Sequence, residues 1–341
     1  MMRMKCFSFP LMGICALFFT LCACSTGEAA AAAAGQILGA SSEAPVFLAC
    51  RAASETEIDF QFSLPVKVVS LRFSPSLVVD SVENGSTVKV NIGQNTVPGE
   101  RFTADLLAED EKGNTINVLA PLRTRNNRVP ALRINEVRTE YSKPKVEFIE
   151  LKILEAGNLG ALRVYAVGNS KNPLIYEFAS AEVSAGEYVV LHLRTLDEAN
   201  RDEYGKNLGE SGGAEADTGA RDFWAPGATK LLHKTDAIYI ADQDDRVIDA
   251  VMLAENPDPW WNKEYFAEAA DLLFGQGAWK SADGKIAGPA GAVNAGATTT
   301  TRSICRDETK EDTNTAADWY ITVSSGATPG KPNNPKRYVA K

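Results

Sequence analysis

Histidine is nearly absent from this 341-residue chain, with His192 and His233 as the only two. Cysteine is scarce where it could do chemistry. Cys6, Cys15, Cys22 and Cys24 crowd the beginning, and only Cys50 and Cys305 lie beyond it. No Cys/His cluster forms, which excludes a zinc-type centre and leaves the metal expectation at none. Basic charge is also short: 35 Lys and Arg face 44 Asp and Glu, a formal net charge of −9. That balance argues against nucleic-acid binding, which leaves a basic footprint, and against a polybasic grip on anionic lipid. Long apolar runs are missing too. The stretch from Cys6 to Thr20 is shorter than the roughly 20 residues a membrane-spanning helix needs.

What stands at the beginning is a different signal. Arg3 and Lys5 precede that short apolar stretch, and Leu21-Cys22-Ala23-Cys24 closes it. Basic start, short apolar core and small terminal residues predict an export signal over 1–23 that is removed. Leu21, Ala23 and Cys24 resemble the bacterial lipobox, which implies a diacylglyceryl group on the Cys24 sulfur. Acyl chains contribute roughly 0.8 kcal/mol per buried CH₂, so two or three hold a protein on a bilayer. Loss of the signal takes Arg3 and Lys5 and moves the charge from −9 to −11. An oxidising compartment permits Cys50 to pair with Cys305. The two fall in different predicted domains, however, and Cys50 fits a buried strand position alternating with Val46 and Leu48, so separate thiols are the simpler expectation.

The alanine-rich segment 24–45 reads as a lipidated flexible tether, about 20 residues spanning roughly 25 Å. Strand patterning follows. Ile58, Phe60 and Phe62 alternate with Glu57, Asp59 and Gln61, predicting one buried and one wet face. Further short strands with turn signals at Ser74-Pro75, Asn84-Gly85, Pro98-Gly99 and Gly113-Asn114 predict an antiparallel sandwich over 46–128. The turn at Lys112-Gly113-Asn114 resembles those of bacterial Ig-like repeats. A polar linker, 123–130, leads to a second strand-rich region, 131–335.

That second region carries Ile134-Asn135-Glu136, Glu147-Phe148-Ile149-Glu150-Leu151 and Ala185-Gly186-Glu187-Tyr188-Val189-Val190. A hairpin ending Val247-Ile248-Asp249 follows, then Arg302-Ser303-Ile304, Asp318-Trp319 and Thr328-Pro329-Gly330. In this order the set resembles the lamin-tail domain, an Ig-like β-sandwich. The whole layout looks like spirochaete-type surface lipoproteins. The resemblance implies a binding or scaffolding role and no reaction. It makes Glu136, Glu147 and Glu150 sheet-edge hydrogen-bond partners rather than an acid/base pair. The fold expectation is therefore all-β, two Ig-like sandwiches in tandem, with insertions at 197–227 and 257–300. The first insertion, acidic and glycine-rich, reads as structureless. The second predicts a helix over 257–275, capped by Asp258 and striped by Tyr265, Phe266, Ala269, Leu272 and Leu273.

Three constellations could carry function. Gly209-Glu-Ser211-Gly-Gly213 matches the nucleophile-elbow spacing, with His192 or His233 as base, but lacks the flanking strand and helix the mechanism needs. Asp242, Asp244, Asp245 and Asp249 crowd one turn as calcium ligands would, without the glycine and distal glutamate of a calcium loop. Phe223, Trp224, Trp260, Trp261, Tyr265 and Trp279 gather near the insertions, where exposed rings would make a protein or glycan platform. The opposing expectation is a small core, since tryptophan is usually largely buried. The chain thus reads as a non-enzymatic, cofactor-free envelope protein, exported and lipid-anchored to the cell or outer membrane. Its expected binding residues are Trp224, Trp260, Trp261 and Trp279. An exported hydrolase using Ser211 and a calcium-dependent adhesion module are the alternatives.

Overall fold

The computed structural model describes residues 43–340. The predicted signal over 1–23, the lipidation residue Cys24 and nearly all of the tether lie outside the described residues. The rest divides into two compact units. One runs to Gln94 and resumes over Phe102–Leu122; the other takes Asn95–Arg101 and everything from Arg123. The first unit is therefore discontinuous in sequence.

The first unit contains β1 (Phe47–Ala52), β2 (Glu57–Ser74), β3 (Val79–Glu83), β4 (Gly85–Ile92), β5 (Arg101–Glu109) and β6 (Thr115–Arg123). Strand order is β3-β4-β2-β5-β6, with β1 also on β2. The long β2 organises this unit. Its first half pairs with β1 and β4, and its second half, past a register break at Gln61/Val66, pairs with β5. Pro65 sits in that break, where a missing N–H costs no ladder bond. Phe60, Val88, Val90, Ala104 and Leu106 close a core with no exposed surface.

Two register expectations fail here. Asp59, predicted wet, is only 6 % exposed, because β1 lies alongside and Arg51, its register partner, reaches it at 3.6 Å. A bulge between Phe47 and Ala49 reverses the predicted facing of β1. Phe47 packs edge-on against Phe62, while Val46 and Leu48 are exposed.

The second unit is a two-sheet sandwich. Its strands are β7 (Leu132–Arg138), β8 (Phe148–Ile153), β9 (Gly157–Asn158), β10 (Arg163–Ala166), β11 (Leu174–Glu177), β12 (Glu182–Val183), β13 (Tyr188–His192), β14 (Arg221–Trp224), β15 (Asp236–Ala241), β16 (Val247–Ala254), β17 (Val293–Asn294), β18 (Ile304–Arg306) and β19 (Trp319–Ile321). One sheet runs β11-β10-β15-β16-β17 and the other β14-β13-β8-β7-β18-β19, with a small β12-β9 ribbon. Ile134, Leu151 and Val189 of one sheet and Val164, Ile238 and Val251 of the other belong to a single core. Facing sheets sharing one core define the sandwich. The fold is all-β.

Both insertions are built into that sandwich. The helix α1 spans Glu264–Gly275, shorter than predicted, and its N-cap is Lys263 without a side-chain bond. Asp258 caps nothing. Phe266, Ala269, Ala270 and Leu273 form the buried stripe, while Leu272 stays 41 % exposed. Beyond α1, β17 adds a parallel edge to β16.

The segment 197–227, expected to be structureless, ends in β14, which pairs in parallel with β13. Its acids order it. Fully buried Glu203 accepts the backbone N–H groups of Glu210, Ser211 and Asp222 at 3.0, 3.0 and 2.8 Å. Asp202 accepts from the Trp224 backbone N–H at 2.7 Å and from the Tyr204 hydroxyl at 2.7 Å. A composition that suggests disorder instead supplies acceptors for an irregular backbone.

Candidate functional site

Glu136, Glu147 and Glu150 of the lamin-tail-like motifs are fully buried. Glu136 and Glu150 face each other as register partners of β7 and β8. Both hold the C-terminal segment that carries Thr328-Pro329-Gly330. Glu136 accepts from the Ser303 hydroxyl, and from the Thr328 backbone N–H and hydroxyl at 3.0 and 3.1 Å. Glu150 accepts from the Asn135 amide at 2.8 Å and the Gly330 N–H at 2.6 Å. Gly330 is required there: its φ is +81°, and a Cβ would stand 2.8 Å from Ala220 and Asp217. Glu308 extends the set, accepting from the Asn333 N–H at 3.0 Å and the Tyr188 hydroxyl at 2.9 Å. Burial pushes Glu136 above the usual carboxylate range; burial and the neighbouring Glu136 charge push Glu150 well above it. Glu147 instead makes a two-pronged pair with Arg194 at 2.6 Å. The sequence motifs located this cluster; burial was not readable from them.

The serine constellation comes apart on inspection of partners. Buried His192 places Nε2 2.6 Å from Asp222 Oδ1, and its ring stacks on Trp224 with centroids 3.9 Å apart. Ser211 Oγ accepts from the Trp224 indole N–H at 2.9 Å. Neither histidine is a hydrogen-bond partner of Ser211 among the described residues. Gly213 has a packing reason: a Cβ there would lie 2.0 Å from the Trp224 ring. Ser211 sits in irregular backbone, with neither the strand before it nor the helix after it that an elbow requires.

The aromatic residues do not form one platform. Phe223 is buried among Phe178, Tyr176 and Tyr204. Trp224 is 7 % exposed and Trp279 1 %, the latter donating to Gly291 O at 3.3 Å. Half-buried Trp261 donates to Ala287 O at 2.9 Å. Trp260 alone of the four expected binding residues is open, at 78 %.

The aspartate-rich turn is likewise spent locally. Asp242 Oδ1 accepts from the backbone of Asp244 and Arg246 at 2.9 and 3.1 Å. Asp244 pairs with Arg125, and Asp245 with Arg163 at 3.0 Å. Asp249 lies away from the turn, buried against Arg306 at 2.7 Å, its pKa raised to about 6 by burial. Cys50 and Cys305 are both free thiols, and Cys305 is buried beside Ser303.

An open groove of about 610 Å³ lies elsewhere on this unit, and sequence reasoning named only some of its lining. It lies between the loop before β15, the ends of β7 and β16, and the start of α1. Lys230 pairs with Glu140 at 3.3 Å, and Lys234 stands 4.0 Å from Glu255. Exposed Lys263 has no carboxylate partner among the described residues. Beneath the loop, fully buried Asp236 accepts N–H groups from Gly168, His233 and Ala237 at 2.7, 3.0 and 2.9 Å. Burial lifts its pKa to about 7. Burial, and then the Lys230 charge, lower that of His233, which keeps its imidazole neutral near pH 7. No helix among the described residues is long and apolar enough to cross a membrane.

Residues 130–321, more than half of the chain, match the profile of the TP_1001 second-domain family, described as a protein second domain. The chain belongs to this family. An uncharacterized protein of Treponema pallidum (strain Nichols) is 32 % identical over 182 residues, covering 51 % of this chain and 46 % of the relative. The chain therefore spans less than half the length of that relative. Among solved structures, the N-terminal part of the bacterial S-layer protein SbsC aligns with 43 % of this chain and 37 % of its own, at 15 % identity and a TM-score of 0.24. A likeness that slight carries no argument. The TP_1001 second-domain match takes in the groove, His192 and the paired Glu136 and Glu150; Thr328 and Gly330, which those glutamates hold, lie past its end.

Proposed function

We propose that this chain is a lipid-anchored cell-envelope protein whose second unit is a non-catalytic binding or structural module of the lamin-tail type. The observation that carries this reading is where the polar groups go. Glu136, Glu150, His192 and Ser211 are each committed to a backbone group or a side chain within the fold, whereas the groove beside α1 faces outward. A catalytic acid or base must reach a substrate proton, within about 3 Å or through one water. Groups committed this way hold structure instead. The basic start, short apolar stretch and lipobox-like Leu21-Ala23-Cys24 support the anchor and the export. The kinship with a Treponema pallidum protein fits the spirochaete-type layout.

Two measurements test this. Expressed in a lipoprotein-processing bacterium, the full chain should take up labelled palmitate and enter the detergent phase, and Cys24→Ala should do neither. Equal partitioning of both would remove the anchor. The purified full chain should also be retained on an isolated envelope fraction; free passage through it would remove the binding role.

A further inference from the structure

We propose that the groove beside α1 binds a carboxylate-bearing glycan, with Lys263 holding the acid group and Tyr265 supporting a sugar face. The proposal rests on the binding-module reading and names a ligand class for it. The volume of about 610 Å³ lies in the range of small-ligand sites, roughly 300–1,000 Å³. Its lining is too polar for an apolar guest. It offers what a ring of hydroxyls needs, acceptors in Glu140 and Glu255 and both a donor and an acceptor in a neutral His233. The Asn262 amide adds both kinds again, and half-exposed Tyr265 supplies an aromatic face beside them.

Charge decides the rest. The chain is acidic overall, yet three ammonium groups border this groove. Lys230 and Lys234 stand near Glu140 and Glu255, which leaves Lys263 to attract an anion. A dense polyanion such as nucleic acid would meet those two carboxylates and be repelled. A glycan with one carboxylate every few sugars can set its acid on Lys263 and its hydroxyls on the glutamates. Lys263 precedes Glu264 at the helix start, so its backbone position is fixed while its side chain remains free.

The test is titration of the full chain, in detergent, with a hyaluronan hexasaccharide and with neutral N-acetylchitohexaose. The acidic sugar should bind at least about tenfold tighter, as expected for a hydrogen bond to a charged group, and its binding should weaken in about 0.5 M salt, which screens exposed charges. Lys263→Gln should abolish most of that preference while leaving neutral-sugar binding and thermal unfolding unchanged. Tyr265→Ala should weaken both sugars. Equal affinity for the two, indifference to Lys263→Gln, displacement by millimolar inorganic phosphate, or no binding of the hexasaccharide would each overturn the assignment. Retention of the Lys263→Gln chain on the envelope fraction, with no hexasaccharide binding by wild type, sinks this inference and leaves the binding-module reading standing.

Discussion

Two regions of the second unit use the same residue types and reach opposite ends. Under the C-terminal segment, Glu136 and Glu150 are buried and receive backbone, hydroxyl and amide donors. Around the groove, Glu140 and Glu255 stand beside lysines at 3.3 and 4.0 Å with solvent access. The first set costs desolvation and gains fixed geometry. The second costs little and keeps its donors and acceptors available. A carboxylate's role here follows from what donates to it, and residue identity alone does not distinguish the two.

That contrast is broken most forcefully from the interior. Arg306→Ala should be among the most damaging changes. It strips the partner from buried Asp249 and also removes the Arg306 Nε bond to Ile134 O at 2.8 Å. Leaving one buried charge uncompensated costs about 3–5 kcal/mol, so urea unfolding should shift by that amount; a shift under about 1 kcal/mol, the scale of an exposed pair, would show that the pair contributes little. Glu150→Ala comes next. The Gly330 N–H and the Asn135 amide lose their acceptor, about 1–3 kcal/mol, and residues 327–333 should become the first site of protease cleavage. Unchanged cleavage would mean the segment is held by other contacts.

The sequence carried the strand periodicity and the lamin-tail-like motifs far enough to predict an all-β fold and to place Glu136, Glu150 and Thr328-Pro329-Gly330 in one framework. It failed where local composition and tertiary context disagree. Glycine and acid density suggested a structureless 197–227, yet Glu203 and Asp202 are the acceptors that order it, and Gly213 is there to admit the Trp224 ring. Alternation predicted a wet Asp59 and inward Val46 and Leu48; β1 and its Arg51 cover Asp59, and a bulge in β1 leaves Val46 and Leu48 exposed. The tryptophans clustered in sequence near the insertions, but Trp224 and Trp279 turn inward while Trp260 turns out. The groove was missed because its lining comes from segments far apart in the chain, none bearing a motif of its own.

Acidity offers a gentler perturbation. Asp236 has its pKa raised from 3.8 to about 7 by complete burial. The native state therefore binds a proton that the unfolded chain has already lost across that window. Stability contributed by this group is fully present below pH 3.8 and is lost as pH rises through about 7. Glu136, Glu150 and Asp249 are shifted in the same direction. Wild type should gain stability between about pH 7.5 and 5, and Asp236→Asn should gain less. Parallel curves for the two chains in thermal unfolding would place Asp236 outside this effect.

The smallest effect is expected at the surface, and it separates the two expectations for the tryptophans. Trp279→Ala empties a buried site and should cost about 3–5 kcal/mol. Trp260→Ala removes a side chain of a residue that is 78 % exposed and should stay within about 0.5 kcal/mol. Its position two residues before Asn262, which lines the groove, makes any consequence one of binding. If Trp260→Ala instead lowers the unfolding midpoint as much as Trp279→Ala, the exposed ring is a structural part of the α1 insertion, and the division between an interior that holds the fold and a surface left for a partner fails at its most exposed aromatic.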